Sequence, residues 1–339
     1  MMGTGPFALP TFQQLVDSPH SVVALVTQPD RRGRGHHRHV NPLAELARER
    51  GIEVLQPENV NEEEVVARLR SLEADIAVVA AYGQILRPSV LAAPRLGAIN
   101  LHGSLLPRHR GAAPVQYAIL RGDTETGVTI FQIEPRLDAG PVLSMVKTPI
   151  DPRETSGELM MRLADLAAPL ALETLDGLEQ GTLTPEIQDG TQVTKAPQIR
   201  KADGIVDWSH PAEEISRMIR AWQPWPLAVS HISTDGRPEV RVILLEATAQ
   251  AALSEAPVDG DSSAAPATDA VTADAPADFH CGQVVRVGTD RLVVQTGEGV
   301  LAITRVRPEG RREMSVSDWL RGYPVAVGDT FGPSTAAKD

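Results

Sequence analysis

Three side chains in this sequence have the types and spacing for chemistry at a carbonyl carbon: Asn100 and His102, two residues apart, and Asp138 in a glycine-containing turn. The run Ala98-Ile99-Asn100-Leu101-His102 reads as a short strand, and side chains two apart on a strand share a face. Gly103 and Pro107 then force a loop. Leu137-Asp138-Ala139-Gly140-Pro141 follows a second apolar run and presents a carboxylate in a tight turn. Acyl transfer to an amine needs a donor for the oxyanion of the tetrahedral intermediate and a group that manages the proton shed by the attacking nitrogen. Asn100 and His102 supply both. A carboxylate beside His102 is expected to favour the imidazolium form and raise the ring above its ordinary pKa of about 6.5. On its own, an N-x-H pattern also fits a turn asparagine next to a satisfied core histidine.

The elements that must position these residues follow from hydrophobic patterning. Ser21 to Thr27 and Ile76 to Ala81 read as buried strands, with a helix around Pro42 to Arg50 between them. Ala98 to Leu101 and Gly127 to Ile133 give further strands. Strands alternating with helices imply an α/β fold with a parallel sheet, Rossmann-like in kind, whose strand ends are where ligands bind. From Thr155, a Ser/Thr cap and Leu159, Leu163, Leu166 and Leu170 predict an amphipathic helix running to Gly181. Ala212 to Trp222 reads as a helix. Val240 to Glu246, Gln283 to Val287, Arg291 to Thr296 and Val300 to Arg305 read as short strands of a small OB-like β-barrel. The expected organisation is a catalytic domain over 1–190, a linker over 191–206 and the barrel over 207–335. An insert over 247–278, acidic and free of Lys and Arg, is expected to be a disordered loop.

Composition narrows the class. With 339 residues, two domains are expected. Cys281, the single cysteine, excludes an internal disulfide framework and a multi-cysteine zinc site. It is expected to be a buried or semi-buried barrel residue. No leader pattern and no run of about 18 apolar residues stands in the sequence, so a cytoplasmic protein without a membrane span is expected. The net charge of −12 argues against a surface that binds nucleic acid everywhere. Against that background Arg31, Arg32, Arg34 and Arg38, interleaved with histidines and with Gly33 and Gly35, concentrate positive charge in one segment. Trp222 and Trp225 beside prolines are expected to pack against a domain edge. No G-x-G-x-x-G follows a strand and no Walker lysine appears, which makes dinucleotide and ATP binding weak readings.

The string from Asn100 through Gly103-Ser104-Leu105-Leu106-Pro107-Arg108-His109-Arg110-Gly111-Ala112-Ala113-Pro114, followed by Gly127-Val128-Thr129 and Leu137-Asp138-Ala139-Gly140-Pro141, resembles the signature of the folate-dependent formyltransferases. Thr27-Gln28-Pro29-Asp30 with its basic continuation, Ala81 to Leu86, and Ile219 to Pro226 are similar to the branch of that superfamily that acts on methionyl-tRNA. The resemblance implies a formyl group moved from 10-formyltetrahydrofolate to the free amino group of initiator methionyl-tRNA, without metal. It implies Asn100, His102 and Asp138 as catalytic residues, and Ser104, Leu105, Leu106 and Pro107 as the loop that holds the folate. Arg34 would reach the acceptor stem of the tRNA, with Arg31, Arg32 and Arg38 beside it, and the barrel would contact the tRNA further along. A monomer is expected.

Three departures from the family pattern stand out. Only Met1 and Met2 precede the Gly3-Thr4 turn, so a central strand is expected to be missing and the start to lie upstream. Ala139 stands where Thr is usual. The acidic insert is longer than the family's loop and has no assigned role. A formyltransferase acting on a small amine, such as glycinamide ribonucleotide or an amino sugar, shares the three residues but needs neither basic loop nor barrel. A non-catalytic tRNA-binding relative would have no use for all three together.

Overall fold

In the computed structural model, which describes residues 1–30, 41–234, 237–252 and 279–333, the chain divides into two compact units, Met1–Ile199 and Arg200–Asp339. Arg31, Arg32, Arg34 and Arg38 of the basic segment and residues 253–278 of the acidic insert lie outside the described residues.

The first unit is built on β1 (Met2–Gly3), α1 (Leu9–Asp17), β2 (Ala24–Val26), α2 (Pro42–Glu49), β3 (Glu53–Leu55), α3 (Glu63–Ser71), β4 (Ala77–Ala80), α4 (Pro88–Leu91) and β5 (Ala98–His102). It continues with β6 (Arg110–Gly111), α5 (Pro114–Leu120), β7 (Glu125–Gln132), β8 (Val142–Pro149), α6 (Ser156–Gln180) and β9 (Lys195–Ala196). The main sheet has the order β3-β2-β1-β4-β5-β7-β8. The strands β3, β2, β1, β4 and β5 run parallel, and the central ones β2 and β4 are the short buried apolar runs typical of strands covered on both faces. The remaining two depart from the expected parallel sheet: β7 runs antiparallel to β5, and β8 returns antiparallel to β7. For β8 the reason lies in the connection, since a turn of nine residues joins it to β7 and so short a link favours an antiparallel pair.

The expected loss of a central strand is corrected by this sheet. Although β1 is only two residues long, it sits between β2 and β4 and pairs with both, Met2 with Val26 and Val79, and Gly3 with Ala80. The backbone amine of Met1 donates to the Ala24 carbonyl at 2.8 Å.

Helix α6 follows the sequence closely. Thr155 accepts from the Glu158 backbone while Glu158 reaches back to the Thr155 amide, a capping box that satisfies two otherwise orphaned donors. Gly181 closes the helix in the left-handed conformation, which glycine adopts without steric cost. Leu159, Leu163, Ala164, Ala167, Ala168 and Ala171 bury its inner face. Part of the expected linker is ordered: β9 pairs parallel with β6, so Lys195 and Ala196 belong to the first unit.

The second unit comprises α7 (Ala212–Ala221), β10 (Ala228–Ser233), β11 (Val240–Gln250), β12 (Val284–Val287), β13 (Leu292–Gln295), β14 (Val300–Pro308), β15 (Met314–Ser315), α8 (Val316–Gly322) and β16 (Thr330–Gly332). The antiparallel path β12-β13-β14-β11-β10-β16 nearly closes on itself, because Gln283 bridges to Thr330 and the Phe331 amide donates to the Gly282 carbonyl at 2.7 Å. Closure of this kind removes exposed strand edges. Three expectations are corrected here. Strand β11 extends to Gln250, so residues 247–250 of the expected insert are paired with β14. Cys281 is exposed. Trp222 is buried and donates to the Asp203 carbonyl at 2.9 Å, whereas Trp225 is 53% exposed.

Candidate active site

The carboxyl end of β5 carries Asn100 and His102 on one face of the strand. Asn100 is half-buried, and its side-chain amide makes no hydrogen bond among the described residues. His102 is 5% exposed and packs edge-on against Phe131, with ring centroids 6.3 Å apart. Its Nε2 lies 2.9 Å from the carbonyl oxygen of His109. A carbonyl can only accept, so Nε2 carries the hydrogen and, in the neutral ring, Nδ1 keeps its lone pair.

That lone pair faces Asp138. The β7–β8 turn brings the Asp138 carboxylate to 3.9 Å from Nδ1, too far for a direct hydrogen bond. Asp138 has a φ of 46°, a left-handed conformation that aspartate tolerates better than most residues. The turn is tied down on two sides. The Gly111 amide donates to the carboxylate at 2.8 Å, and Gln188 Nε2 donates to the carbonyls of Asp138 and Gly140 at 3.0 and 2.7 Å. Gln188 is oriented in turn by Arg110, whose Nε and Nη2 donate to its Oε1 at 3.1 and 2.6 Å. At Gly140 a side chain would meet the Gln132 carbonyl, so the turn requires glycine there.

The electrostatics correct one expectation. Burial holds the His102 pKa below its ordinary value, outweighing the opposite pull of the Asp138 carboxylate and of the His109 carbonyl. The shift favours the neutral ring over a standing imidazolium.

Beyond β5 the chain makes the loop 103–109, with a cis bond between Leu106 and Pro107. Ser104 is fully buried and donates through Oγ to the Arg108 carbonyl at 2.8 Å; Leu106 is buried as well. These two side chains build the loop from inside, and Leu105 and Pro107 are the half-buried pair. The loop is pinned by Thr129, which donates to the Ser104 carbonyl at 2.7 Å and accepts from the Leu106 amide at 3.1 Å.

His109, Arg110, Gly111 and Thr129 stand in the quoted strings without an assigned role, and Gln188 stands outside them. Thr129 sits on β7 directly opposite His102, a relation that only the register reveals. Gln188 lies 50 residues beyond Asp138 with no pattern to connect them. For a metal, His20, Asp176 and Glu179 bring ligand atoms within 4.8 Å of one another among the described residues, and none of them belongs to this site.

Comparison with known proteins agrees with the geometry. The profile of the formyl transferase family matches residues 1–175, and that of the formyl transferase C-terminal domain matches residues 198–324. A methionyl-tRNA formyltransferase from Magnetococcus marinus is 41% identical over 98% of this chain and 97% of its own length. The chain belongs to the methionyl-tRNA formyltransferase family. A second member, from Methylococcus capsulatus, is 42% identical over 96% of each chain. The fold is shared more widely: WlaRD, a sugar 3N-formyl transferase solved in the presence of dTDP and 5-N-formyl-THF, superposes with a TM-score of 0.61 at 14% identity, covering 92% of this chain and 97% of its own. No helix among the described residues is long and apolar enough to cross a membrane.

Proposed function

We propose that the chain transfers the formyl group of 10-formyltetrahydrofolate to the free amino group of initiator methionyl-tRNA, with Asn100, His102 and Asp138 as the reacting site. The observation that carries this reading is the state of His102. Its Nε2–H is committed to the His109 carbonyl, and its Nδ1 lone pair faces a carboxylate in a buried setting.

In that arrangement the Asn100 amide, without a hydrogen-bond partner among the described residues, donates to the formyl oxygen as it gains charge. The methionyl nitrogen bonds to the formyl carbon and sheds a proton to His102 Nδ1. Asp138 stabilises the imidazolium so formed. The bond from the formyl carbon to the folate nitrogen then breaks, and that nitrogen takes the proton from His102 Nδ1 as it leaves, which returns the ring to its neutral form. The loop Ser104, Leu105, Leu106 and Pro107 holds the folate, a reading supported by the half-burial of Leu105 and Pro107 beside the buried Ser104 and Leu106. Arg31, Arg32, Arg34 and Arg38 serve the tRNA by phosphate contact, in an otherwise acidic chain. Relatives at 41% and 42% identity that carry the name methionyl-tRNA formyltransferase support this acceptor over a small amine.

The test is formylation of initiator methionyl-tRNA by purified protein with 10-formyltetrahydrofolate, followed by mass analysis of the released methionine. A gain of one formyl group is expected, and unmodified methionine under conditions where a small amine is formylated would overturn the assignment.

A further inference from the structure

We propose that His109 and Asp123 are positioning residues for the transfer: their buried contact holds the His109 carbonyl against His102 and so sets which ring nitrogen of His102 faces the substrate. The proposal deepens the reading of His102 given above and rests on it.

His109 adopts a φ of 59°, in the left-handed region that a residue with a β-carbon avoids unless its surroundings impose it. The surroundings are polar and specific. The His109 amide donates to Thr194 Oγ1 at 2.8 Å, and its ring Nε2 meets Asp123 Oδ2 at 2.6 Å. The other oxygen of Asp123 takes Arg108 Nη2 at 2.5 Å. Asp123 is itself anchored beyond α5, where its amide donates to the Ala118 carbonyl at 3.0 Å. The carboxylate thus clamps two successive residues of the loop that leaves β5.

The side chains of His109 and Asp123 are 3% and 8% exposed. Replacing both partners of a buried hydrogen bond by apolar groups of the same shape can be nearly neutral for stability, so stability alone is a poor reason for this one. What the pair does supply is direction. With the ring held by Asp123 and the amide by Thr194, the carbonyl of the same residue points at His102 Nε2. Without the clamp the loop relaxes, the carbonyl leaves Nε2, and His102 can place its hydrogen on Nδ1, where it blocks proton uptake from the amine. A main-chain carbonyl here plays the part that a carboxylate plays in hydrolase triads, and Asp123 acts one residue further back.

The titratable groups that face His102 are Asp138 from the β7–β8 turn and His109 from the loop; those that face His109 are Asp123 and Arg108. The test is turnover of methionyl-tRNA across pH for His109→Phe, which keeps a ring but removes the bond to Asp123, and for Asp123→Asn. In both, kcat is expected to fall about ten- to a hundredfold, short of the roughly 100- to 10,000-fold that full proton transfer supplies. KM for both substrates should stay within about twofold, the pattern of an interaction made only in the transition state. The acid limb of kcat should move to lower pH, because the displaced carbonyl no longer supports the protonated ring. His109→Gln, which retains an N–H near the place of Nε2, should recover most of the rate. Unchanged kcat and limb in His109→Phe would overturn the proposal, as would a fall in kcat that merely follows the folded fraction with the limb unmoved. If His109→Phe does not fold, Asp123→Asn gives the same readouts. His102→Ala, measured alongside, separates the two readings. An active His102→Ala sinks both, whereas an inactive one beside an unaltered His109→Phe sinks only the clamp.

Discussion

His102 Nδ1 and the Asp138 carboxylate face each other across 3.9 Å, with the ring buried and one carboxylate oxygen already taken by the Gly111 amide. The two are too far apart to share a proton, and burial holds the ring below the ordinary imidazole pKa against the opposite pull of the carboxylate. A neutral base should remain usable below the pH at which a free imidazole is half protonated, about 6.5. We expect kcat to hold its plateau below that value in the native chain. Asp138→Asn removes the charge that favours the imidazolium, so its acid limb should lie lower still, although its rate is small. A native acid limb above the ordinary imidazole range would contradict the assignment.

The same group makes a prediction for stability. The folded chain keeps His102 neutral in a range where the unfolded chain protonates it, so the unfolded state binds more protons and stability rises with pH through that window. Below about 6.5 the native protein should lose stability as pH falls. Denaturant titrations at a pH about one unit above and one unit below that value should show a smaller loss in His102→Gln than in the native chain. An identical loss in both would remove His102 as the source.

Asn100→Ala, His102→Ala and Asp138→Ala should each cut turnover strongly, by the roughly hundred- to thousandfold that loss of one oxyanion donor costs. Affinity for tRNA should hardly change, because these groups act on charge that develops in the transition state. Filter binding beside single-turnover rates separates the two quantities. Any of the three that kept near-native turnover would lose its catalytic role.

How much of this is legible in the sequence differs between fold and site. The long helix α6 can be read to its ends because its capping box and its terminal Gly181 are local signals. The antiparallel β7 cannot, since strand direction is set by connection and pairing and leaves no mark on alternation. Asn100, His102 and Asp138 are visible as polar residues in apolar or turn settings. Their supports are not: Thr194 meets His109 across 85 residues and Gln188 meets Arg110 across 78, and such pairings have no periodicity to betray them. The direction of the His102 shift differs from the expectation for a related reason. A neighbouring carboxylate can be guessed from motifs, but the depth of burial that outweighs it comes from packing.

Arg34 lies between Gly33 and Gly35, where backbone freedom suits close approach to a phosphate, and it is the strongest candidate for binding tRNA in a chain of net charge −12. Removing one arginine–phosphate pairing should reduce the slope of log affinity against log salt by roughly 0.9 or less. Arg34→Ala and Arg38→Ala should therefore raise KM for methionyl-tRNA and flatten its salt dependence while leaving KM for the folate unchanged. An unchanged rate with methionyl-tRNA at moderate salt in Arg34→Ala would reduce the segment to a solvated run of charge.

Thr129 stands opposite His102 on the sheet and ties down the loop that follows β5. Its strand position pairs with His102, while its Oγ1 donates to the Ser104 carbonyl and accepts from the Leu106 amide. The side chain is fully buried, so neither loop group has water as an alternative partner once the hydroxyl is removed. Thr129→Val keeps the shape and the β-branched strand preference but leaves a buried carbonyl and a buried amide unsatisfied, at about 1–3 kcal/mol for each group. The loop can recover those bonds only by shifting toward solvent, and that shift moves Leu105 and Pro107. We expect KM for 10-formyltetrahydrofolate to rise about tenfold or more, the equivalent of about 1.4 kcal/mol, with KM for methionyl-tRNA unchanged and the unfolding midpoint lowered. Thr129→Ser, which restores the hydroxyl without the methyl, should bring the folate KM back toward native while recovering only part of the stability. A folate KM in Thr129→Val equal to that of the native chain would show that the loop after β5 holds its shape without this strand.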